Sequence, residues 1–373
     1  MELVDRGLVF DASTASPNRK GSAFTSLARL FDGSILCTFK SGPQKLSPTD
    51  TIVAMQSTDE GRTWTQLFEG FPPVFEGVPG SFTSGYPFEI APGRLRMALV
   101  WVDRSHPDRP LANPDTTGLL PMKCLLSESE DAGATWGPLR EVILSPHTGN
   151  ALTGEILRLD DGTLALPYES WKEWDDIAGV QSGNLRFSRD NGRTWNEWET
   201  IASHPNQDLY YWDNRVAKHP ESGRLVALFW THDPHAGLDR DIHIAWSDPD
   251  GRNWSLPAPT GIAGQIAAPL PMGGDDLLCL YVHRHDPPSI RAVLSHNLGR
   301  TWDINGELTV YQSGAGVEAG TTGPRHDADY WNDMYRWTFG HAKGLVLKDG
   351  SVLCAFYGGA PDALSIHWAR LRV

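Results

Sequence analysis

The chain has 373 residues, among them 37 glycines, 27 prolines and 15 tryptophans, and carries a formal net charge of −14. An acidic chain with a pI near 5.3 and no run of lysine or arginine lacks the positive face that nucleic acid or an anionic membrane surface requires. The sequence shows neither a signal-peptide pattern at its start nor an apolar stretch long enough to span a bilayer. The expectation is a soluble protein, cytoplasmic, or secreted or periplasmic if a leader has been removed.

Taken in chain order, the sequence repeats itself. After an extended segment at 3–10 comes an apolar strand, a glycine-centred turn at 31–35 (FDGSI), a second apolar strand, and the box STDEGRTW at 57–64. The same order returns with APGRL at 91–95 and SEDAGATW at 129–136, then with DDGTL at 160–164 and SRDNGRTW at 188–195. A fourth copy has ESGRL at 221–225 and SDPDGRNW at 247–254, where Pro249 replaces the Asp. A fifth has MGGDDL at 272–277 and SHNLGRTW at 295–302, with Asn297 in that place. The sixth has KDGSV at 348–352 and stops after a third strand at 365–371.

The box has the chemistry of a hairpin turn. Its Asp or Asn accepts backbone N–H groups, its Gly supplies positive φ, and its Trp plugs the gap between strands. Each repeat therefore predicts four antiparallel strands, and a four-stranded unit repeated six times is a six-bladed β-propeller. The sixth unit lacks a fourth strand, which 3–10 would supply. The repeat spans the chain, so a single domain covering 1–373 is expected, with weak helix signals throughout. Cys37, Cys279 and Cys354 occupy matching strand contexts, and with Cys124 they read as small buried residues, not zinc ligands or a redox pair.

This strand order puts the glycine turns and boxes on one face and the longer loops (103–121, 171–181, 320–337) on the other. Long loops on a rigid scaffold are where functional groups concentrate. That face offers Lys40 and Asp50; Glu169 and Trp171; Tyr210, Tyr211, Asp213, His232 and Asp233; His283, Arg284 and Arg291; and His341, preceded by Arg325, His326, Asp327 and Trp331. Carboxylates with stacking aromatics suit sugar cleavage, whose oxocarbenium-like transition state needs an acid and an anionic stabiliser. Each residue also has a plain reading, as turn cap, ion pair or packing. No cofactor is implied, and His232, His283 and His341 come from different repeats, so no metal site is evident.

The boxes and the repeat resemble the sialidase (neuraminidase) superfamily, a resemblance that covers most of the chain. It implies three arginines clamping a carboxylate, an Asp acid/base, and a Tyr nucleophile activated by a Glu. Asp50 fits the Asp, Asp213 falls at the Glu one methylene shorter, and Arg291 fits the third arginine. Thr25 stands where the first arginine belongs, His232 closes the stretch where the second belongs, and His341 stands at the tyrosine. Two arms of the clamp are absent, and such a clamp is what holds a carboxylate. The resemblance thus implies a glycoside hydrolase removing a terminal sugar, not an ordinary sialidase. Asp50, Asp213, His341 and Glu169 would be catalytic. Substrate contacts would come from Arg291, Arg284, Lys40, Tyr210, Tyr211, Trp171, His283 and Asp233. A polysaccharide lyase on the same propeller and a non-catalytic glycan-binding propeller remain as alternatives.

Overall fold

The computed structural model describes residues 1–314 and 324–373. Among them the chain is nearly all β, and no helix is long and apolar enough to cross a membrane. It divides into two compact units. A terminal unit comprises Glu2–Leu111, Leu120–Ile143 and Tyr335–Val373; a mid-chain unit comprises Met1, Ala112–Leu119 and Leu144–Met334.

Each unit holds three arrays of antiparallel strands. In the terminal unit the first contains Gly21–Arg29, Ile35–Gly42, Thr51–Ser57 and Thr65–Phe68, and the second contains Val78–Ala91, Arg94–Asp103, Met122–Ser129 and Arg140–Val142. The third contains Gly340–Val346, Val352–Ala360 and Ala363–Arg372, completed by Glu2–Phe10 with Leu8 opposite His367. The segment 3–10 thus takes the outer place expected of it. Gly7 is needed there, because a Cβ would stand 2.7 Å from the Trp368 indole nitrogen.

In the mid-chain unit one array contains Leu164–Ser170, Ser182–Ser188 and Glu197–Ala202, with its inner strand broken into Ala151–Leu152 and Leu157–Arg158. The next contains Tyr210–Lys218, Leu225–Asp233, His243–Trp246 and Ala258–Pro259, and the last contains Ala267–Gly273, Asp276–His283, Ser289–Ser295 and Leu308–Gln312.

Second strands read as continuous apolar runs because both their faces are covered. Leu225, Ala227 and Phe229 pack with Leu185, Phe187 and Val216, while Val226 and Leu228 pack with Leu277, Cys279 and Tyr281. Full burial of each large side chain contributes roughly 1.5–3 kcal/mol. All four cysteines are free and buried.

The boxes form the turns expected of them. Asp59 Oδ1 accepts from Thr63 N at 2.9 Å and Arg62 N at 3.1 Å, and Trp64 Nε1 donates to Gly61 O at 3.0 Å. Asn297 substitutes for the Asp, accepting from Thr301 N at 2.9 Å. In four of the five boxes the residue before the glycine is left-handed as well, with φ 61° at Glu60, 57° at Ala132 and Asn191, and 53° at Leu298.

One expectation is corrected. The stretch 320–337, read as a loop, contains an α-helix at Asp327–Met334; its residues 320–323 lie outside the described residues. Eight residues are too few to display helical periodicity, and two of its aspartates sit in the first turn, where they favour the helix N-terminus.

Candidate functional site

The mid-chain unit brings two carboxyl groups together. The ladder between Tyr210–Lys218 and Leu225–Asp233 slips between Trp212 and Arg215, and Asp213 takes a left-handed φ of 51°. A bulge of this kind re-aims a side chain at a cost of about 1–3 kcal/mol in backbone strain. Asp213 N donates to Glu169 Oε2 at 2.7 Å, and Arg215 Nη2 lies 2.6 Å from Asp213 Oδ1. The Asp213 side chain keeps 18% of its surface exposed.

Burial, followed by the charge of Asp213, pushes the Glu169 carboxyl up to about 8, against the pull of Arg215. Burial also raises Asp213, with Arg215 opposing. Arg215 pairs directly with Asp213 and opposes the rise of both carboxyls, as the Asp213 N–H does at Glu169.

Beside this pair lies an aromatic network. The Trp212 and His232 rings stack at 4.9 Å and 8°. His232 Nδ1 is 3.2 Å from Asp239 Oδ1, which also accepts from Tyr330 Oη and Trp230 Nε1 at 2.9 Å. Gln265 Nε2 donates to Asp239 Oδ2 at 2.9 Å and is held in turn by Arg284 Nε. Burial opposes ionisation of Asp239, but hydrogen bonds from His232, Gln265 and Trp230 outweigh it and hold the carboxyl below its usual range. Tyr330 comes from the helix, one turn after Asp327. A cleft of about 500 Å³ lined by Leu209, Asp239, Arg240, Asp241, His243 and Pro259 reaches the carboxylate from the other side.

The Tyr210 ring lies 5.0 Å from the Trp171 ring and 5.5 Å from Trp212. Trp171 is buried, and its indole N–H is spent on Thr117 O at 2.9 Å. Tyr211 points the opposite way into the core against Phe229, as strand alternation requires.

In the terminal unit Asp50 is 1% exposed and pairs with Lys40 Nζ at 2.8 Å, itself wholly buried. Asp50 Oδ2 also accepts from Ser47 N at 2.8 Å, and Lys40 donates to Gln44 O at 2.8 Å. The two residues tie down the turn that connects their strands. His341 lies edge-on to Phe24 at 4.6 Å, and its carbonyl accepts from Thr25 Oγ1 at 2.5 Å. His341 (φ 50°) and Phe24 (φ 58°) occupy the same kind of bulge as Asp213, at ladder slips between Gly340 and Lys343 and between Ala23 and Ser26. Phe24 is thus the bulge residue of the first inner strand, while Thr25 beside it is buried. Lys45 Nζ lies 4.9 Å from the Tyr357 ring centre and donates to Trp337 O at 2.8 Å.

The remaining candidates are engaged locally. Asp233 caps its turn through His235 N and Ala236 N and pairs with Arg240. Arg291, on a third strand, is held by Ser289 Oγ and Glu307 Oε1, both at 2.8 Å. His283 Nδ1 meets Pro287 O at 3.2 Å, and burial lowers its basicity. Among the described residues no group of three His, Cys, Asp or Glu side chains is placed to hold a metal ion.

Sequence reasoning missed Arg215, Asp239, Gln265 and Tyr330. The one available signal was the acidic stretch at 239–241, which looks like a solvated turn.

No known family's sequence profile matches this chain, and no curated protein does. Solved structures do. A protein of unknown function from Dyadobacter fermentans matches with a TM-score of 0.74 at 18% identity, covering 100% of this chain and 99% of that one. A Hadza microbial sialidase matches at 0.66 and 17%, covering 95% of this chain and 66% of that one. An α-L-arabinanase from Penicillium chrysogenum, complexed with arabinobiose, matches at 0.62 and 14%, covering 99% and 98%. The chain shares its fold with these structures, two of which are propeller glycosidases.

Proposed function

We propose that this chain is a glycoside hydrolase, built as one sialidase-like six-bladed β-propeller, with Glu169 and Asp213 as its acid–base pair. The observation that carries the reading is the contact between Asp213 N and Glu169 Oε2, with Arg215 on the far side of Asp213. Burial raises both carboxyls, Glu169 to about 8, with Arg215 opposing the rise at Asp213; in this reading Glu169 is the acid and Asp213 the carboxylate.

Glycosidic cleavage needs this division of labour. Glu169 gives its proton to the departing glycosidic oxygen as the anomeric C–O bond breaks. Asp213 supplies the negative charge that stabilises the oxocarbenium-like centre, and water completes the addition. Tyr210, three residues before Asp213 in the same strand, offers a partly exposed ring. The sialidase and arabinanase likenesses support the class and do not identify the sugar.

Incubation with a panel of neutral and acidic oligosaccharides, followed by mass spectrometry, tests the reading. Net addition of water is expected, with Glu169→Gln and Asp213→Asn each abolishing it in folded protein. An unsaturated, ultraviolet-absorbing product would instead indicate a lyase. Full turnover by both variants on an identified substrate would sink the assignment.

A further inference from the structure

Glu169 and Asp213 stand in separate arrays, and among the described residues no ladder joins the two. Side chains must therefore hold the bulge at the height where its amide meets Glu169 Oε2. The residue after Asp213 makes contacts that do this. Asn214 is fully buried, and its Oδ1 accepts from Thr153 Oγ1 at 3.2 Å. Thr153 follows the short strand Ala151–Leu152, in which Ala151 lies opposite Glu169. It sits where the inner strand breaks, and its N–H donates to Pro167 O at 3.3 Å.

On its other side Asn214 abuts Gly183, which lies opposite Glu169 in the ladder with Ser182–Ser188. A Cβ at Gly183 would stand 3.0 Å from Asn214 Cγ and 3.1 Å from Asn214 Cβ. Gly183 has no left-handed φ, so the closeness of Asn214, and not an unusual backbone, requires glycine there. Asn214 thus touches the segments on both sides of Glu169, while the residue before it touches Glu169 itself. Successive Cα atoms are about 3.8 Å apart across a stiff peptide unit, so a shift of Asn214 is passed on to Asp213.

Asn214 Nδ2 is buried without a partner among the described residues. Stability alone would favour an apolar residue, since an unmatched buried amide carries a desolvation cost. A polar side chain kept in spite of that cost is what a positional role predicts.

We propose that Asn214, held between Thr153 and Gly183, is a positioning residue that sets the Asp213 amide against Glu169. The proposal rests on the glycoside hydrolase reading for its effect on turnover, while the contact itself is measured without a substrate.

The test follows the Asp213 amide in ¹H–¹⁵N correlation spectra of the full chain as pH is varied. An amide bonded to a carboxyl reports its ionisation, so in the parent this resonance is expected to move as Glu169 ionises near pH 8. Thr153→Val keeps the shape and removes the hydroxyl, and the movement should shrink by about half or more. On an oligosaccharide that the parent cleaves, kcat should fall about tenfold with KM within about twofold. Thr153→Ser returns the hydroxyl and should restore both readouts. Gly183→Ala presses on Asn214 from the other strand and should act as Thr153→Val does. An amide indifferent to pH in the parent, or one that moves equally in Thr153→Val and Gly183→Ala, overturns this proposal and leaves the hydrolase reading to its own test. A parent that cleaves nothing across the oligosaccharide panel overturns the hydrolase reading, and the amide titration still decides the positioning.

Discussion

Asp50 in the terminal unit and Asp213 in the mid-chain unit look alike in sequence: each is a lone aspartate at a strand head. Each lies within 3 Å of a cation, Lys40 at 2.8 Å and Arg215 at 2.6 Å. Asp50 is sealed off at 1% exposure, and its pair also closes a turn. Asp213 keeps 18% exposure, sits on strained backbone, and has a second carboxyl against its own amide. Burial and a counter-ion are therefore common to an anchor and to the proposed reactive group. A neighbouring acid and an open side separate them.

Four substitutions press on that contrast. Asp213→Asn should lower turnover by about 10³-fold or more, in line with losing a paired catalytic group, with little change in melting temperature; steady-state kinetics and circular dichroism decide it. Lys40→Met should do the reverse. It leaves Asp50 charged and uncompensated, a loss of about 3–5 kcal/mol of stability in urea unfolding, with turnover per folded molecule retained. Asp59→Ala, at a half-buried turn carboxylate that accepts from Ser57, Arg62 and Thr63, should cost about 1–2 kcal/mol by the same assay, and leave turnover alone.

The last effect is a pH dependence. Folding raises the Glu169 carboxyl from 4.5 to about 8. The stability it contributes is complete below the unfolded value and is lost as pH rises through the folded one. Glu169→Gln cannot ionise, so its melting temperature should match the parent's near pH 4.5 and exceed it by a few degrees above pH 8. Parallel melting curves across that range would break the assignment of the proton to Glu169.

The fold was legible because its rules are local. An Asp four residues before a Thr and a Gly between them fix a turn whatever surrounds it, as Asp59 and Thr63 show. The missing fourth strand could be assigned to 3–10 because a third strand, ending at 371, left an edge to cover. The site was legible only in part. Glu169 and Asp213 could each be named, yet they stand in adjacent arrays, and no spacing in the sequence encodes their contact. Strand alternation would have placed Asp213 with Tyr211 in the core; the bulge between Trp212 and Arg215 breaks that count. Asp239 was hidden by its surroundings, since 239–241 reads as solvated charge while Trp230 and His232 of the preceding strand and Gln265 and Tyr330 from farther along the chain converge on it. The helix carrying Tyr330 was too short to announce itself.

Three inner strands share one device: Phe24, Asp213 and His341 all sit left-handed at a slip in the ladder. Because each slip is set by main chain on both sides, the occupant of that position is free of the sheet's own packing rules. The architecture thereby offers interchangeable sockets, in which a ring, an acid and an imidazole occur here without altering the frame. A substitution at such a socket would change the group it presents while leaving the ladder on either side as it is.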